Sequence, residues 1–141
     1  MRYDNSRKRD IPGDFFPLPK SIFNLDLSTG EIVVYAYFMY CEDRKTFQCH
    51  PSYATIGRST GMSKNTVKKY VESLERKGFI FTEPTKVKTK DGRTHNGSLL
   101  YTLNPIKPIE EAHFERQIAL AGARYNAQKA LEKYEKKHRR S

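Results

Sequence analysis

The chain has 141 residues, of which 37% are hydrophobic and 30% charged, and its formal net charge is +10. This length fits one folded domain with an appendage. The sequence has neither an apolar run long enough to cross a membrane nor a secretory signal, so we expect a cytoplasmic protein with no membrane contact. The positive charge is concentrated in residues 51–107, which carry 11 basic and 4 acidic side chains and so favour a polyanion-binding surface.

Side chains suited to catalysis or metal binding are sparse and scattered. Cys41, Cys49 and His50 are one ligand short of a zinc site, and two ordinary reduced thiols are the simpler interpretation. The other histidines match no catalytic spacing, and the sequence has no Gly-rich phosphate loop and no nucleophile elbow. We therefore expect neither enzymatic activity nor a bound metal or cofactor.

The N-terminal residues 1–13 are predicted to form a flexible basic arm, because they contain an Arg-Lys-Arg cluster followed by a Pro-Gly pair. Pro17 and Pro19 then prevent a regular helix. Residues 15–25 should therefore lie extended, or form a short helical turn, against the core.

Ser28-Thr29-Gly30-Glu31 has the pattern of a capping box, in which the serine and glutamate side chains pair with each other's backbone N–H groups at a helix start. The residues that follow, EIVVYAYFMYCED, are apolar almost all round, which is typical of a central buried helix. Their β-branched and aromatic side chains would also suit a buried strand. The capping box and the length of the segment favour a helix.

Two shorter helices are predicted next, after a turn and a short extended piece in RKTFQCH. Ser52 should cap the first, which runs for about two turns before Gly61. Ser63 should cap the second, which ends at Lys77-Gly78, where glycine can adopt the left-handed conformation that closes a helix. Helical spacing predicts that the buried face of this second helix comprises Val67, Val71 and Leu74.

The segments FIFTE (79–83) and SLLYTL (98–103) are typical of strands. Residues 84–97 join them and contain two turn-forming pairs, Asp91-Gly92 and Asn96-Gly97. We expect a β-hairpin with a long, basic and mobile tip.

The C-terminal region is predicted to be one long helix. Pro105 and Pro108 should end the preceding domain, and residues 109–140 are proline-free and rich in Ala, Glu, Lys and Arg. Three interpretations of this helix stay open: a homodimer contact through residues 109–137, packing back onto the domain, or a partly frayed helix that adds non-specific positive charge. Its apolar stripe comprises Phe114, Ile118, Ala121 and Tyr125, continued by Leu131 and Tyr134 on a drifting face.

The order helix, short strand, helix, turn, helix and hairpin is that of a winged helix-turn-helix domain. Gly57 provides a small residue where the two helices approach each other, and Gly61 eases the turn between them. The predicted fold is mainly α with a small β-hairpin. It is organised as the arm over 1–13, the winged helix-turn-helix domain over 14–104 and a C-terminal helix with a basic tail over 105–141.

The segment SYATIGRSTGMSKNTVKKYVESLERKGFI (52–80) resembles the winged helix-turn-helix family of bacterial transcription regulators and of phage and plasmid replication initiators. Upstream, the aromatic-Pro segment that begins FFPLP is similar to the lead-in of initiator-type domains. Gly57 stands where the family commonly has alanine. The resemblance implies binding to double-stranded DNA through the second helix of the motif, with the hairpin as a wing.

The residues of the second helix agree with this implication. Asn65 and Lys69 lie opposite its apolar face, and they are the best candidates for base contact, since asparagine can pair with adenine and lysine can reach guanine. The remaining predicted DNA contacts are Lys64, Thr66 and Lys68 beside this pair, Ser52, Tyr53 and Ser63 for phosphate at the helix N-termini, and Lys86, Lys88, Lys90 and Arg93 for phosphate or minor groove on the hairpin tip.

Three functional hypotheses follow. The first is a sequence-specific transcription regulator that associates with the nucleoid when bound to DNA. The alternative is a replication-initiation or maintenance protein of a phage, plasmid or other mobile element, which the aromatic-Pro lead-in favours and the short chain weakens. The third is a protein–protein module, since winged helices can also dock on proteins.

Overall fold

The computed structural model describes residues 8–139, and the chain divides into two compact units between Pro105 and Ile106. Residues 1–7 of the predicted arm lie outside the described part. Residues 8–10 have no regular secondary structure, and residues 11–13 belong to a single helical turn. The helices are α1 (Ile11–Asp14), a 3-10 turn (Lys20–Asn24), α2 (Thr29–Cys41), α3 (Tyr53–Thr60), α4 (Lys64–Arg76) and α5 (Ile106–His138). The strands are β1 (Gln48–Cys49), β2 (Ile80–Glu83), β3 (Lys86–Lys88), β4 (Thr94–Asn96) and β5 (Leu100–Leu103).

The capping box that begins α2 is formed as the sequence predicts. The Ser28 hydroxyl accepts a hydrogen bond from the Glu31 backbone N–H at 3.3 Å, and the Glu31 carboxylate accepts one from the Ser28 N–H at 2.9 Å. Helix rather than strand is therefore confirmed for this segment. Its inner face buries Val34, Tyr35 and Phe38 in the core of the first unit.

Glu31 also ties α2 to α4 through contacts that the sequence did not predict. The Ser73 hydroxyl donates to Glu31 Oε2 at 2.7 Å, and Lys77 Nζ lies 2.9 Å from Oε1. Burial alone would raise the pKa of Glu31. The hydrogen bonds from the Ser28 N–H, Ser73 and Lys77 outweigh burial and lower this pKa to about 2.

The buried core lies among α2, α3, α4 and the sheet. Aromatic rings connect these layers: Phe38 packs on Tyr101 with ring centroids 4.5 Å apart, and Tyr35 meets Phe79 edge-on at 5.6 Å. The largest fully buried side chains are Tyr35, Tyr101, Phe38, Ile22, Ile56, Leu74, Ile80, Val34, Val67 and Val71. The predicted inner face of α4 is thereby confirmed.

The main sheet has three antiparallel strands in the order β1-β5-β2, so the short strand before α3 joins the predicted hairpin. Phe81 pairs with Thr102 in one ladder and Gln48 pairs with the same Thr102 in the other. The Gln48 side chain also donates to the Thr102 hydroxyl at 3.1 Å.

The connection over residues 84–97 differs from the predicted loop, because β3 and β4 form an antiparallel ladder of their own. Gly92, with φ 82°, closes the turn by donating to the Thr89 carbonyl at 3.0 Å. Asn96 ends β4 instead of making a turn. The backbone N–H of Gly97 then donates to Thr85 O at 2.8 Å, which continues the pairing. The Asp-Gly turn brings the two segments that become β3 and β4 into register. The prediction of a loop did not take this pairing into account.

Helix α5 begins at Ile106, three residues before the predicted start, and includes Pro108 in its first turn. Proline is tolerated there because the first backbone N–H groups of a helix have no partner within it. At 100° per residue, the apolar positions form two faces and not one drifting stripe. Phe114, Ile118 and Tyr125 share one face, whereas Leu120, Leu131 and Tyr134 share the other.

Candidate nucleic-acid interface

The corner between α3 and α4 is built on two glycines. Gly61 has φ 74°, a left-handed conformation, and its backbone N–H donates to the Gly57 carbonyl at the end of α3. The Met62 N–H donates to the same carbonyl at 2.9 Å. A Cβ at Gly57 would collide with the Met62 carbonyl oxygen, so the backbones touch at this point. Glycine at 57 is therefore required by the close approach.

Both helices of the motif begin with the same Ser-x-x-Thr arrangement. The Ser52 hydroxyl accepts from the Thr55 N–H at 3.1 Å, and the Ser63 hydroxyl accepts from the Thr66 N–H at 3.2 Å. In the second cap, Ser63 Oγ also donates to Thr66 Oγ1 at 2.9 Å. Both predicted serine caps are confirmed. The sequence did not reveal that the Thr66 hydroxyl takes part in the cap.

The outward face of α4 presents the predicted base-contacting side chains to solvent. Lys64, Asn65, Lys68 and Lys69 are exposed, and Thr66 is half-buried. The Lys69 ammonium lies 5.7 Å from the centre of the neighbouring Tyr70 ring. The Tyr70 ring packs over Gly30, where an added Cβ would collide with it. The middle of α4 is thus held on α2 while its polar side faces outward.

The start of α3 and the base of the β3–β4 hairpin line a common open groove of about 340 Å³. Ser52 and Tyr53 contribute from the helix, and both are half-buried. The other lining residues are Asn96, Gly97, Ser98, Leu99 and Tyr101. Sequence reasoning missed the 96–99 segment as part of this site, because Asn96-Gly97 was interpreted only as a turn.

The hairpin formed by β3, the turn and β4, residues 86–96, is called the wing. All four predicted cationic side chains are exposed on it: Lys86, Lys88, Lys90 and Arg93. Lys86 and Lys88 lie on one face of β3, since alternate strand residues point the same way. Arg93 is partly neutralised by Asp91, with Nε 3.7 Å from Oδ2 in a solvent-exposed pair.

Within residues 8–139, no three His, Cys, Asp or Glu side chains come together in a way that could hold a metal ion. In the same range, no helix combines the length and apolarity needed to span a bilayer. Both cysteines are free thiols. Burial, helped by Cys41 and Glu42, raises the pKa of the Cys49 thiol to about 12, which disfavours a reactive thiolate.

Residues 25–80 match the protein family described as "Helix-turn-helix domain". That segment, together with the β-hairpin that follows it, has the winged helix-turn-helix fold. The expected fold class is confirmed: a mainly helical fold with a small antiparallel sheet and a C-terminal helix. No curated protein sequence matches the chain.

Solved structures with the same fold include TrmBL2, an archaeal chromatin protein, at 16% identity and a TM-score of 0.52. That match covers 77% of this chain and 35% of TrmBL2, so this chain spans about a third of that protein. A possible transcriptional regulator from Methanosarcina mazei Go1 matches at 17% identity over 79% of this chain and 85% of its own, with a TM-score of 0.49. MepR of S. aureus, in complex with DNA, matches at 18% identity over 79% and 84%, with a TM-score of 0.42.

Proposed function

We propose that the chain is a sequence-specific DNA-binding protein of the cytoplasm and nucleoid that regulates transcription and has no enzymatic activity. The observation that carries this proposal is that α4 is fixed on one side and exposes polar side chains on the other. Its apolar side is buried in the core, its first turn is held by a serine cap and a glycine corner, and its opposite side exposes lysines and an asparagine. A rigid helix with this surface suits the major groove of DNA.

Asn65 and Lys69 are the proposed base-reading side chains. Asparagine offers a paired donor and acceptor that match adenine, and lysine donates to guanine O6 or N7. Lys64, Thr66 and Lys68 flank them on the exposed or half-exposed surface of α4. The Thr66 hydroxyl is engaged in the cap, and its methyl group is proposed to contact a thymine methyl.

The phosphate backbone is proposed to contact the helix starts and the wing. Ser52, Tyr53 and Ser63 lie at helix N-termini, where backbone N–H groups without helical partners and the helix dipole favour anions. Lys86, Lys88, Lys90 and Arg93 extend the positive surface along the wing. These contacts give affinity and position the helix without specifying sequence.

A salt titration of the full chain tests DNA binding itself. Affinity for a mixed-sequence duplex should fall steeply between about 50 and 200 mM salt, because lysines and arginines release counterions when they neutralise phosphates. A chain that binds no duplex even at the lowest salt would contradict the proposal and favour a protein–protein module.

Genomic mapping of bound fragments separates the regulator from the replication initiator. A regulator should yield isolated sites beside promoters, whereas an initiator should yield clustered repeats at an origin. We expect the first pattern. Clustered repeats would contradict a role in regulation and support replication initiation or maintenance, and the proposal of DNA binding would still hold.

We also propose that α5 pairs with α5 of a second copy of the chain. Large apolar side chains on both of its faces are more than half exposed, including Ile118 and Leu131. Sedimentation of the wild type, Ile118→Glu and Leu131→Glu tests this pairing. We expect a dimer that one substitution dissociates, which would identify the pairing face; a wild-type chain that stays monomeric at its solubility limit contradicts the pairing.

A further inference from the structure

One carboxylate lies in the middle of the basic outward face of α4. Glu72 is exposed, and it follows Asn65 by seven residues, which places it on nearly the same side of the helix. At 1.5 Å per residue it lies about 10 Å further along the helix axis. Lys69 and Arg76 share this side within roughly 60°.

The Glu72 carboxylate forms no ion pair with the cations of this face. Lys68, Lys69 and Arg76 stand four before, three before and four after it, which are the spacings at which helical ion pairs form. Within the described part of the chain, however, none of these three cations forms an ion pair with Glu72 within 4.0 Å. The carboxylate therefore keeps its acceptor oxygens available to another partner.

The charges of Glu72 and Glu75 both act on the start of α3. Burial, followed by the charges of Glu72 and Glu75, raises the pKa of the Tyr53 phenol. Tyr53 lines the groove beside the wing. Helical spacing separates the two carboxylates: Glu72 shares the side of Asn65 and Lys69, whereas Glu75 is turned about 60° further round α4.

A carboxylate on a DNA-facing surface repels phosphate and weakens binding to every sequence alike. A base edge that presents a hydrogen-bond donor in the major groove offsets this repulsion. Cytosine presents its N4 amino group there, and glutamate is the side chain that accepts from it.

We propose that Glu72 is a specificity-determining residue that reads a cytosine. This inference rests on the proposed function, since it requires α4 to lie in the major groove. Given the distance along the helix, the cytosine lies about two to four base pairs from the base that Asn65 contacts. Replacing that cytosine should weaken binding about five- to 150-fold.

The test is selection of bound duplexes from a randomised pool by the full-length wild type, Glu72→Gln and Glu75→Gln. Glutamine keeps the size of glutamate but pairs with adenine N6 and N7. The base-pair position read by Glu72 should therefore change from cytosine to adenine in the first variant, with the other positions unchanged. Glu75→Gln makes the same charge change on an exposed residue of the same helix and should leave every position unchanged.

Three outcomes separate this inference from the proposed function. A single position that changes with Glu72→Gln alone supports the inference. A Glu72→Gln protein that binds all duplexes more tightly by one common factor overturns it, because the carboxylate then acts only by repulsion, and DNA binding stands. A wild type that enriches no duplex, while circular dichroism shows it folded, overturns the proposed function and this inference together.

Discussion

Replacing Gly57 by alanine should destabilise the domain, although alanine normally favours a helix. Gly57 lies within α3, where alanine in place of glycine stabilises by about 0.5–1 kcal/mol when space permits. Here the added Cβ would collide with the Met62 carbonyl oxygen. That oxygen belongs to the backbone of the turn, so it cannot move away as a flexible side chain could.

The magnitude follows from these opposing terms. Overpacking of a close contact costs about 1–3 kcal/mol, and the helix-propensity gain offsets up to about 1 kcal/mol of it. Because the collision is with backbone, the upper half of this range applies and a net loss of about 1–2 kcal/mol remains, which corresponds to a fall in Tm of roughly 4–16 °C for a domain of this size. The turn must also open, so α4 should rotate relative to α3 and DNA affinity should fall.

Thermal and urea unfolding followed by circular dichroism measure this effect. Gly122→Ala is the matched control, because the same substitution in α5 meets nothing within 4 Å. We expect it to raise helicity slightly and to leave the stability of the first unit unchanged. A Gly57→Ala protein as stable as the wild type, with unaltered DNA affinity, would refute the close-approach argument.

Two further predictions concern charge. The pKa of Glu31 is lowered to about 2 from 4.5, so its contribution to stability is complete above about pH 5 and is lost as the pH falls toward 2. Urea unfolding should show that Glu31→Gln removes roughly 2–3 kcal/mol at pH 7 but little at pH 2; an equal loss at both pH values would exclude an ionic role. On the wing, Lys88→Ala should weaken binding to all duplexes alike and reduce the salt slope by about one, whereas Lys45→Ala, in the turn before β1, should change neither. A base-selective loss for Lys88→Ala would contradict a phosphate contact.

The helix-turn-helix could be predicted because its determinants are local. Serine caps, the Gly57 and Gly61 positions and the apolar spacing of α4 each act over a few residues, and the structure places each as expected. The exposed side of α4 follows directly, since the burial of one helix face determines which side chains face outward.

The features that the sequence did not reveal depend on distant contacts or on alternatives of similar energy. The Ser73 and Lys77 bonds to Glu31 join residues 42 and 46 positions apart, and no local pattern specifies them. The β3–β4 ladder was missed because short polar strands and a loop have similar propensities, and pairing decides between them. The groove at residues 96–99 exists only once the wing folds beside α3.

The central claim, that α4 reads base sequence through Asn65, is tested most directly by comparing Asn65→Ala with the wild type on two duplexes. One duplex carries the site selected by the wild type, and the other is a scrambled version of the same composition. The account predicts a loss of about 1–3 kcal/mol on the selected site and almost none on the scrambled one. Equal losses on both duplexes would contradict it.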